Sequence, residues 1–363
     1  MLNGAFFVEL NYMATSQKVI KCLQGMPLHM ENVVGIKFGK SDLDYLCINL
    51  PPLCNYRCEK CFTWANEHKI EDFIGAKKIK EIITSGKKHG VKVLGILGEG
   101  ETLMFPETFE IIAHAHNLGI MSLVATNGSF LDKKATDFLY EHGTTVVVSL
   151  DTLDEAEYKA FCRGDASINK IKKNINYAKN KFKNTIFGRN EYKVYRFAIH
   201  MTVTAKNYWN LKKIKDFCGE DVYFSCEHIA KIGCANDNPD VYGGKEMKDK
   251  YLKIIKKTRE IMNPMVLTST KCGKDTCCFY NYGISIGYEG EVMLDTHAIE
   301  SKGILGNIKN ESLEILIKKS KQIKDYYYKD NSGHYCIIRD PKYQKFIDFL
   351  KGEKTKKISK SRC

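Results

Sequence analysis

The 363-residue sequence predicts an α/β fold: a partial barrel of six strand–helix units, followed by a smaller cysteine-rich α+β module. Three observations predict it. From Tyr45 onward, short β-rich runs are each followed by a turn and an amphipathic helical pattern. Beyond Ile229 that alternation stops. The 14 cysteines gather in close groups instead of spreading evenly as a disulfide framework would.

Residues 1–42 mix apolar and polar turns without a clear period and read as an N-terminal extension or short cap. Strands are expected at Tyr45–Leu50, Lys92–Leu97, Met121–Ala125, Thr145–Leu150, Phe197–Val203 and Val222–His228. Helical patterns lie between them at 75–88, 105–118, 132–142, 154–182 and 207–217. Strands alternating with helices of this length build a parallel sheet, and right-handed crossovers curl six units into a partial (β/α)6, TIM-like barrel over 43–230. In such a barrel the loops after the strand C-termini form the active face. The module is assigned to 231–340: a loop rich in Asn, Asp and Gly, a basic helix near 245–262, and a hairpin at Gly283–Leu294 turning at Tyr288-Glu289-Gly290. Gly306-Asn307-Ile308 and a helix to about Tyr328 close it, and 341–363 form a basic C-terminal helix and tail.

Composition narrows the functions. A 44% hydrophobic fraction suits a globular protein with a sizeable core. No apolar run reaches the roughly 18 residues of a membrane span, and the N-terminus lacks a secretory pattern, so a cytoplasmic enzyme is expected. The net charge of +13 fits an anionic partner such as nucleic acid, but the lysines are spread over many helical faces instead of one patch with aromatics. Nucleic-acid binding is therefore not favoured. Cys22, Cys47, Cys162 and Cys218 stand alone in mostly apolar surroundings and read as buried small hydrophobes.

The chemistry concentrates at Cys54-Asn55-Tyr56-Arg57-Cys58-Glu59-Lys60-Cys61-Phe62, directly after the first strand. Three thiolates at C-x3-C-x2-C spacing suit a cubane iron–sulfur cluster with one iron open, whereas a structural zinc site wants four closed ligands. A zinc knuckle completed by a residue such as His68 is the alternative. The second strand ends in Gly98-Glu99-Gly100-Glu101-Thr102, where carbonyls and a carboxylate can grip an ammonium group, or which is a plain strand-to-helix turn. Strands three and four close with Thr126-Asn127-Gly128 and Ser149-Leu150-Asp151, whose Asn127 and Asp151 also suit helix N-caps. Arg163-Gly164 offers a carboxylate grip or a surface ion pair, and Phe62, directly after the last cysteine of the loop, suits a core anchor.

Together these motifs, in order over 45–230, resemble the radical S-adenosylmethionine (radical SAM) enzymes. The resemblance implies a [4Fe-4S] cluster on Cys54, Cys58 and Cys61, with S-adenosyl-L-methionine (AdoMet) chelating the open iron. It further implies AdoMet contacts at Phe62, Gly100, Glu101, Asn127, Ser149 and Arg163, with Gly100-Glu101 matching the family's GGE motif and Glu99 standing where that motif has glycine. The expected activity is reductive cleavage of AdoMet to a 5′-deoxyadenosyl radical that takes hydrogen from a substrate. A reducing protein such as flavodoxin or ferredoxin would supply the electron.

The second module resembles the SPASM or twitch extensions that carry auxiliary iron–sulfur clusters. The likeness rests on the ribbon Ile284-Ser285-Ile286 to Glu289-Gly290-Glu291-Val292 and on Leu305-Gly306-Asn307-Ile308 with Ser312–Leu316. Cys272, Cys277, Cys278 and Cys336 are the expected ligands of one auxiliary cluster, with Asp295, His297, Cys226 and Cys234 in reserve. Asp295 stands where a full SPASM has cysteine, and a degenerate module or a zinc site is the alternative.

The substrate expected first is a peptide or protein side chain, undergoing oxidation, crosslinking or epimerisation. The short N-terminus leaves no room for a leader-binding domain, so a separate peptide-binding partner is expected. A small-molecule dehydrogenase or isomerase acting on a sugar or nucleoside comes second. RNA modification and a non-catalytic iron–sulfur or zinc scaffold complete the alternatives.

Overall fold

The computed structural model describes residues 19–65, 70, 72–185, 187–189, 191–261, 281–297, 301–331 and 342–360. Its strands are β1 (Ile20–Leu23), β2 (Tyr45–Ile48), β3 (Val93–Ile96), β4 (Met121–Thr126), β5 (Thr145–Ser149), β6 (Phe187–Arg189), β7 (Tyr192–Tyr195), β8 (Phe197–Val203), β9 (Tyr223–His228), β10 (Gly283–Ile286), β11 (Glu291–Met293) and β12 (Gly306–Asn307). Nine of them form one sheet in the order β12-β11-β10-β2-β3-β4-β5-β8-β9. The six expected strands β2, β3, β4, β5, β8 and β9 are neighbours in that order and all parallel, the partial barrel read from the alternation.

Both faces of this sheet are buried, as a parallel sheet with crossover helices requires. Leu46, Ile48, Leu94, Ile96, Val124, Val146 and Ile199 pack outward against the helices, including Ile79, Ile82 and Ile83 of Gly75–Lys88. Tyr45, Val93, Leu123, Val147, Ala198 and Tyr223 point inward. Leu23, Met26, Met30 and Phe38 join that inner set, so four side chains of the N-terminal segment pack against the inner face of the sheet. Cys22, Cys47, Cys162 and Cys218 are buried, in line with expectation.

Three features differ from the sequence reading. The pattern over 154–182 is two helices, Glu155–Cys162 and Ile168–Phe182, because Arg163 takes φ 51° and breaks the first one. β1 lies parallel to β7, and β7 pairs with β6 in a hairpin, giving a three-stranded sheet that three- and four-residue strands do not announce as a pattern. The hairpin β10–β11 was expected in a separate module. Instead β10 runs parallel to β2 with Gly283 opposite Tyr45, so the ribbon and β12 continue the barrel's own sheet.

Among the described residues, no helix is long and apolar enough to cross a membrane.

Candidate cluster and cofactor site

The loop 51–65 leaves the C-terminal end of β2, and every strand end singled out in the sequence fastens a part of it. Leu53 O accepts from Glu101 N at 2.8 Å, and Leu50 O from Glu99 N at 3.0 Å. Gly100 lies so close that a Cβ there would stand 2.0 Å from Leu53 O, which only glycine permits. Asn55 Oδ1 accepts from Asn127 Nδ2 at 3.0 Å and from Ser129 Oγ at 3.2 Å. Arg57 N donates to Cys162 O at 2.8 Å. Glu59 pairs with Arg163 at 2.5 Å and Lys206 at 2.8 Å, and Lys60 pairs with Asp151. Thr63 Oγ1 donates to Glu99 O at 2.6 Å.

This clamping turns Cys54, Cys58 and Cys61 toward one cavity of about 430 Å³, which Arg57, Glu59, Arg163, Cys234 and Asn238 also line. Among the described residues, no three His, Cys, Asp or Glu side chains converge as ligands of a single ion do. The donor set, three thiols around a shared space, fits a cubane cluster. Burial pushes the Cys54 thiol up to about 11. The Cys58 thiol is raised by its contact with Cys162 and by burial. Cys61 goes the other way, down to about 6, because Cys234 and then Thr63 hydrogen-bond its sulfur against the cost of burial. Burial works to raise the Glu59 carboxyl, but Lys206 and Arg163 outweigh it and hold it below the ordinary range.

The other expected cofactor residues take distinct places. The Glu101 carboxylate is fully buried and accepts from Leu103 N at 3.1 Å, Thr126 Oγ1 at 2.5 Å and Asn127 N at 2.7 Å, so it ties the ends of β3 and β4 together. Three backbone carbonyls of that turn are also engaged: Glu99 O accepts from Thr63 Oγ1, Glu101 O from Met104 N and Thr102 O from Thr108 Oγ1. Ser149 is exposed at the end of β5, and Phe62 sets its ring 5.5 Å from that of His297. The N-cap alternative for Asn127 and Asp151 fails: Asp132 and Asp154 cap the following helices, through Ala135 N and Glu157 N. Asn127 Oδ1 instead accepts from Ser129 N at 2.8 Å, and Asp151 holds Lys60 and Thr202 N.

Of the reserve ligands, Cys226 is buried on β9, and Asp295 is buried against His297 with 3.4 Å between Oδ1 and Nδ1. Cys234 belongs to the cavity beside Cys61. His68, Cys272, Cys277, Cys278 and Cys336 lie outside the described residues.

Sequence reasoning missed Lys206 and Lys302, and held Cys234 in reserve for an auxiliary cluster instead of placing it in this cavity. Lys302 bridges buried Glu99 at 3.1 Å and Glu291 at 2.9 Å, joining the Gly98–Thr102 turn to β11. Glu99, at the family's glycine position, thus has a half-buried cation as its partner. No spacing in the chain links residues 203 apart; only the pairing of β10 with β2 brings them together.

Residues 48–191 match the family model described as the Radical SAM superfamily. A protein of Methanococcus maripaludis named "Probable GTP 3',8-cyclase" is 33% identical over 132 residues, which are 36% of this chain and 44% of that protein. The chain spans about half the length of the curated relatives it matches. Among solved structures, Streptococcus suis SuiB bound to precursor peptide SuiA aligns with TM-score 0.53 at 18% identity, covering 74% of this chain and 63% of that one. Native anSMEcpe with bound AdoMet and Kp18Cys peptide aligns with TM-score 0.58 at 15% identity, covering 84% of this chain and 95% of that one. At these identities the structural likeness is one of fold.

Proposed function

We propose that this chain, which belongs to the radical SAM superfamily through its residues 48–191, cleaves AdoMet reductively and directs the radical at a peptide or protein side chain. The observation that carries the reading is the clamped loop, which presents Cys54, Cys58 and Cys61 to one cavity at the C-terminal mouth of the parallel strands. When bound, the [4Fe-4S] cluster and AdoMet supply an electron and a 5′-deoxyadenosyl radical, the bond-breaking part of the reaction.

The chain's own residues hold and orient. Cys54, Cys58 and Cys61 would be the cluster ligands. Arg163, at the cavity wall, would grip the AdoMet carboxylate bidentately, exchanging its pairing with Glu59 while Lys206 keeps that carboxylate neutralised. Asn127 and the Gly98–Thr102 turn would line the remaining contacts, with Phe62 beside the adenine. Cys272, Cys277, Cys278 and Cys336 would hold an auxiliary cluster. Iron near eight per chain, against about four for a single cubane, checks that assignment.

A peptide substrate is supported by how far the fold likeness runs: SuiB and anSMEcpe, both solved with peptides, match 74% and 84% of this chain. A small anionic substrate is the second reading, favoured by the cations Arg57, Arg163 and Lys206 near the cluster loop and by the cyclase-named relative. The test is anaerobic turnover of the reconstituted chain with AdoMet, a reductant and either a peptide encoded beside its gene or GTP. The peptide alone is expected to change: hydrogen loss or a crosslink shows as a mass decrease in mass spectrometry, and inverted configuration as deuterium gained in D2O and by chiral amino-acid analysis. Conversion of GTP with the peptide untouched overturns the proposal.

A further inference from the structure

We propose that His200, on the inner face of β8, binds the substrate by hydrogen-bonding a peptide amide, with Ser225 of β9 holding its ring. This deepens the peptide reading above and rests on it.

The inner wall of the barrel changes character from one rung to the next. Val147 of β5 lies opposite Ala198 of β8, and Ala198 opposite Tyr223 of β9. All three are buried, in one apolar cluster with Leu23, Met26, Met30 and Phe38 of the N-terminal segment. Side chains two residues apart share a face of a strand, so the next rung toward the C-terminal mouth is Ser149, His200 and Ser225. The register sets these three opposite one another as well. They stand about 7 Å nearer the mouth, two residues of strand rise. Ser149 is exposed and His200 half-buried, so this rung borders open space where the one below it is sealed.

One rung further, Thr202 lies opposite Glu227, and Thr202 N donates to Asp151 Oδ1 at 3.2 Å. Asp151 also pairs with Lys60 of the cluster loop. His200 is therefore placed between the level at which the cluster loop is fastened to the barrel and the apolar floor. His200 Nδ1 and Ser225 Oγ are 2.8 Å apart, a hydrogen bond that fixes the plane of the ring, and Ser225 is itself buried.

A wall serving only to pack would stay apolar, because each polar group placed in it has to be matched by a partner. A neutral imidazole carries one donor and one acceptor, and a hydroxyl carries both. A peptide amide presents the complementary pair, one N–H and one C=O. β5, β8 and β9 contain no lysine or arginine, and the carboxylates of Asp151 and Glu227 belong to the level above. An anion such as GTP would meet no cation on this wall, whereas a neutral amide needs none.

The test uses the reconstituted full-length chain with AdoMet, a reductant and the peptide encoded beside its gene. It follows the KM for the peptide, the 5′-deoxyadenosine released per peptide modified, and AdoMet affinity by calorimetry. His200→Ala and His200→Phe remove the hydrogen-bonding groups, one leaving space and one filling it; His200→Gln keeps a donor and an acceptor. Both apolar variants are expected to raise the KM about tenfold, the loss of one or two hydrogen bonds. They should also release more 5′-deoxyadenosine per modified peptide, because the radical then meets a misplaced substrate. His200→Gln is expected to recover part of both effects, and Ser225→Ala to raise the KM about threefold. Iron content and AdoMet affinity stay at wild-type values. An unchanged KM and ratio in either folded apolar variant overturns the proposal. Weakened AdoMet binding overturns it too, since the ring would then lie against the cofactor. Wild-type chain that leaves the peptide unmodified refutes the peptide reading itself, and the same assay reveals it.

Discussion

Gly100→Ala puts the contact between the Gly98–Thr102 turn and the cluster loop under direct strain. An added Cβ would stand 2.0 Å from Leu53 O, 2.5 Å from its carbonyl carbon and 2.7 Å from its nitrogen. These are backbone atoms, so no side-chain rotation relieves the overlap, and Leu53 must retreat by about 1 Å. Its carbonyl is held by Glu101 N and its amide by Pro51 O, both at 2.8 Å. Overpacking of this kind costs about 1–3 kcal/mol. Loosening one of the two hydrogen bonds adds roughly 0.5–1.5 kcal/mol. A destabilisation of about 2–4 kcal/mol is expected in urea unfolding of the cluster-free protein, with reduced iron uptake because Cys54 follows the displaced residue. Gly352→Ala serves as the opposite control. It sits in the helix Tyr343–Lys360 with nothing within 4 Å of the added methyl, so a gain of about 0.5–1 kcal/mol is expected. If Gly100→Ala unfolds with wild-type stability and binds full iron, the packing between these segments is not what positions Cys54.

Three further outcomes follow from other sites. Burial lowers the His29 pKa from 6.5 to about 4, and its Nδ1 accepts from Gly25 N at 3.2 Å. The folded state therefore prefers the neutral ring: its contribution is complete above pH 6.5 and lost as pH falls toward 4. By linkage this costs about 2 kcal/mol between pH 7.5 and 5, and His29→Gln is expected to flatten that fall in urea midpoints measured at the two pH values. Glu101→Gln sets an amide N–H against some of the donors of Leu103, Thr126 and Asn127, costing about 1–3 kcal/mol; a double-mutant cycle with Thr126→Val is expected to be less than additive. Arg163→Ala is expected to weaken AdoMet binding in calorimetry while leaving iron content unchanged, and unchanged affinity would remove Arg163 from the cofactor site.

The strand–helix alternation was legible because parallel strands buried on both faces read as apolar runs, and helices Gly75–Lys88 and Glu107–Asn117 carry a clear amphipathic period. The cluster loop was legible because three cysteines at tight spacing are local. Long-range partners were not. Cys234 reads from the sequence as a reserve ligand of an auxiliary cluster, since Cys61 is 173 positions away and only the fold brings both to one cavity. Glu59 and Lys206 stand 147 positions apart, and nothing local links them; the fold sets them at 2.8 Å. Glu99 read as an imperfect glycine position, although its partner Lys302 lies on the chain beyond β11. The hairpin β10–β11 was read correctly as a hairpin but not as an edge of the barrel sheet, because pairing with β2 leaves no trace in local pattern.

The most direct test of the radical SAM assignment is the release of 5′-deoxyadenosine by the anaerobically reconstituted chain given AdoMet and dithionite, measured beside Cys58→Ala. The assignment of the clamped cysteine loop as the cluster site predicts steady release from the wild type and loss of it in the variant. Release at the same rate from Cys58→Ala would contradict it.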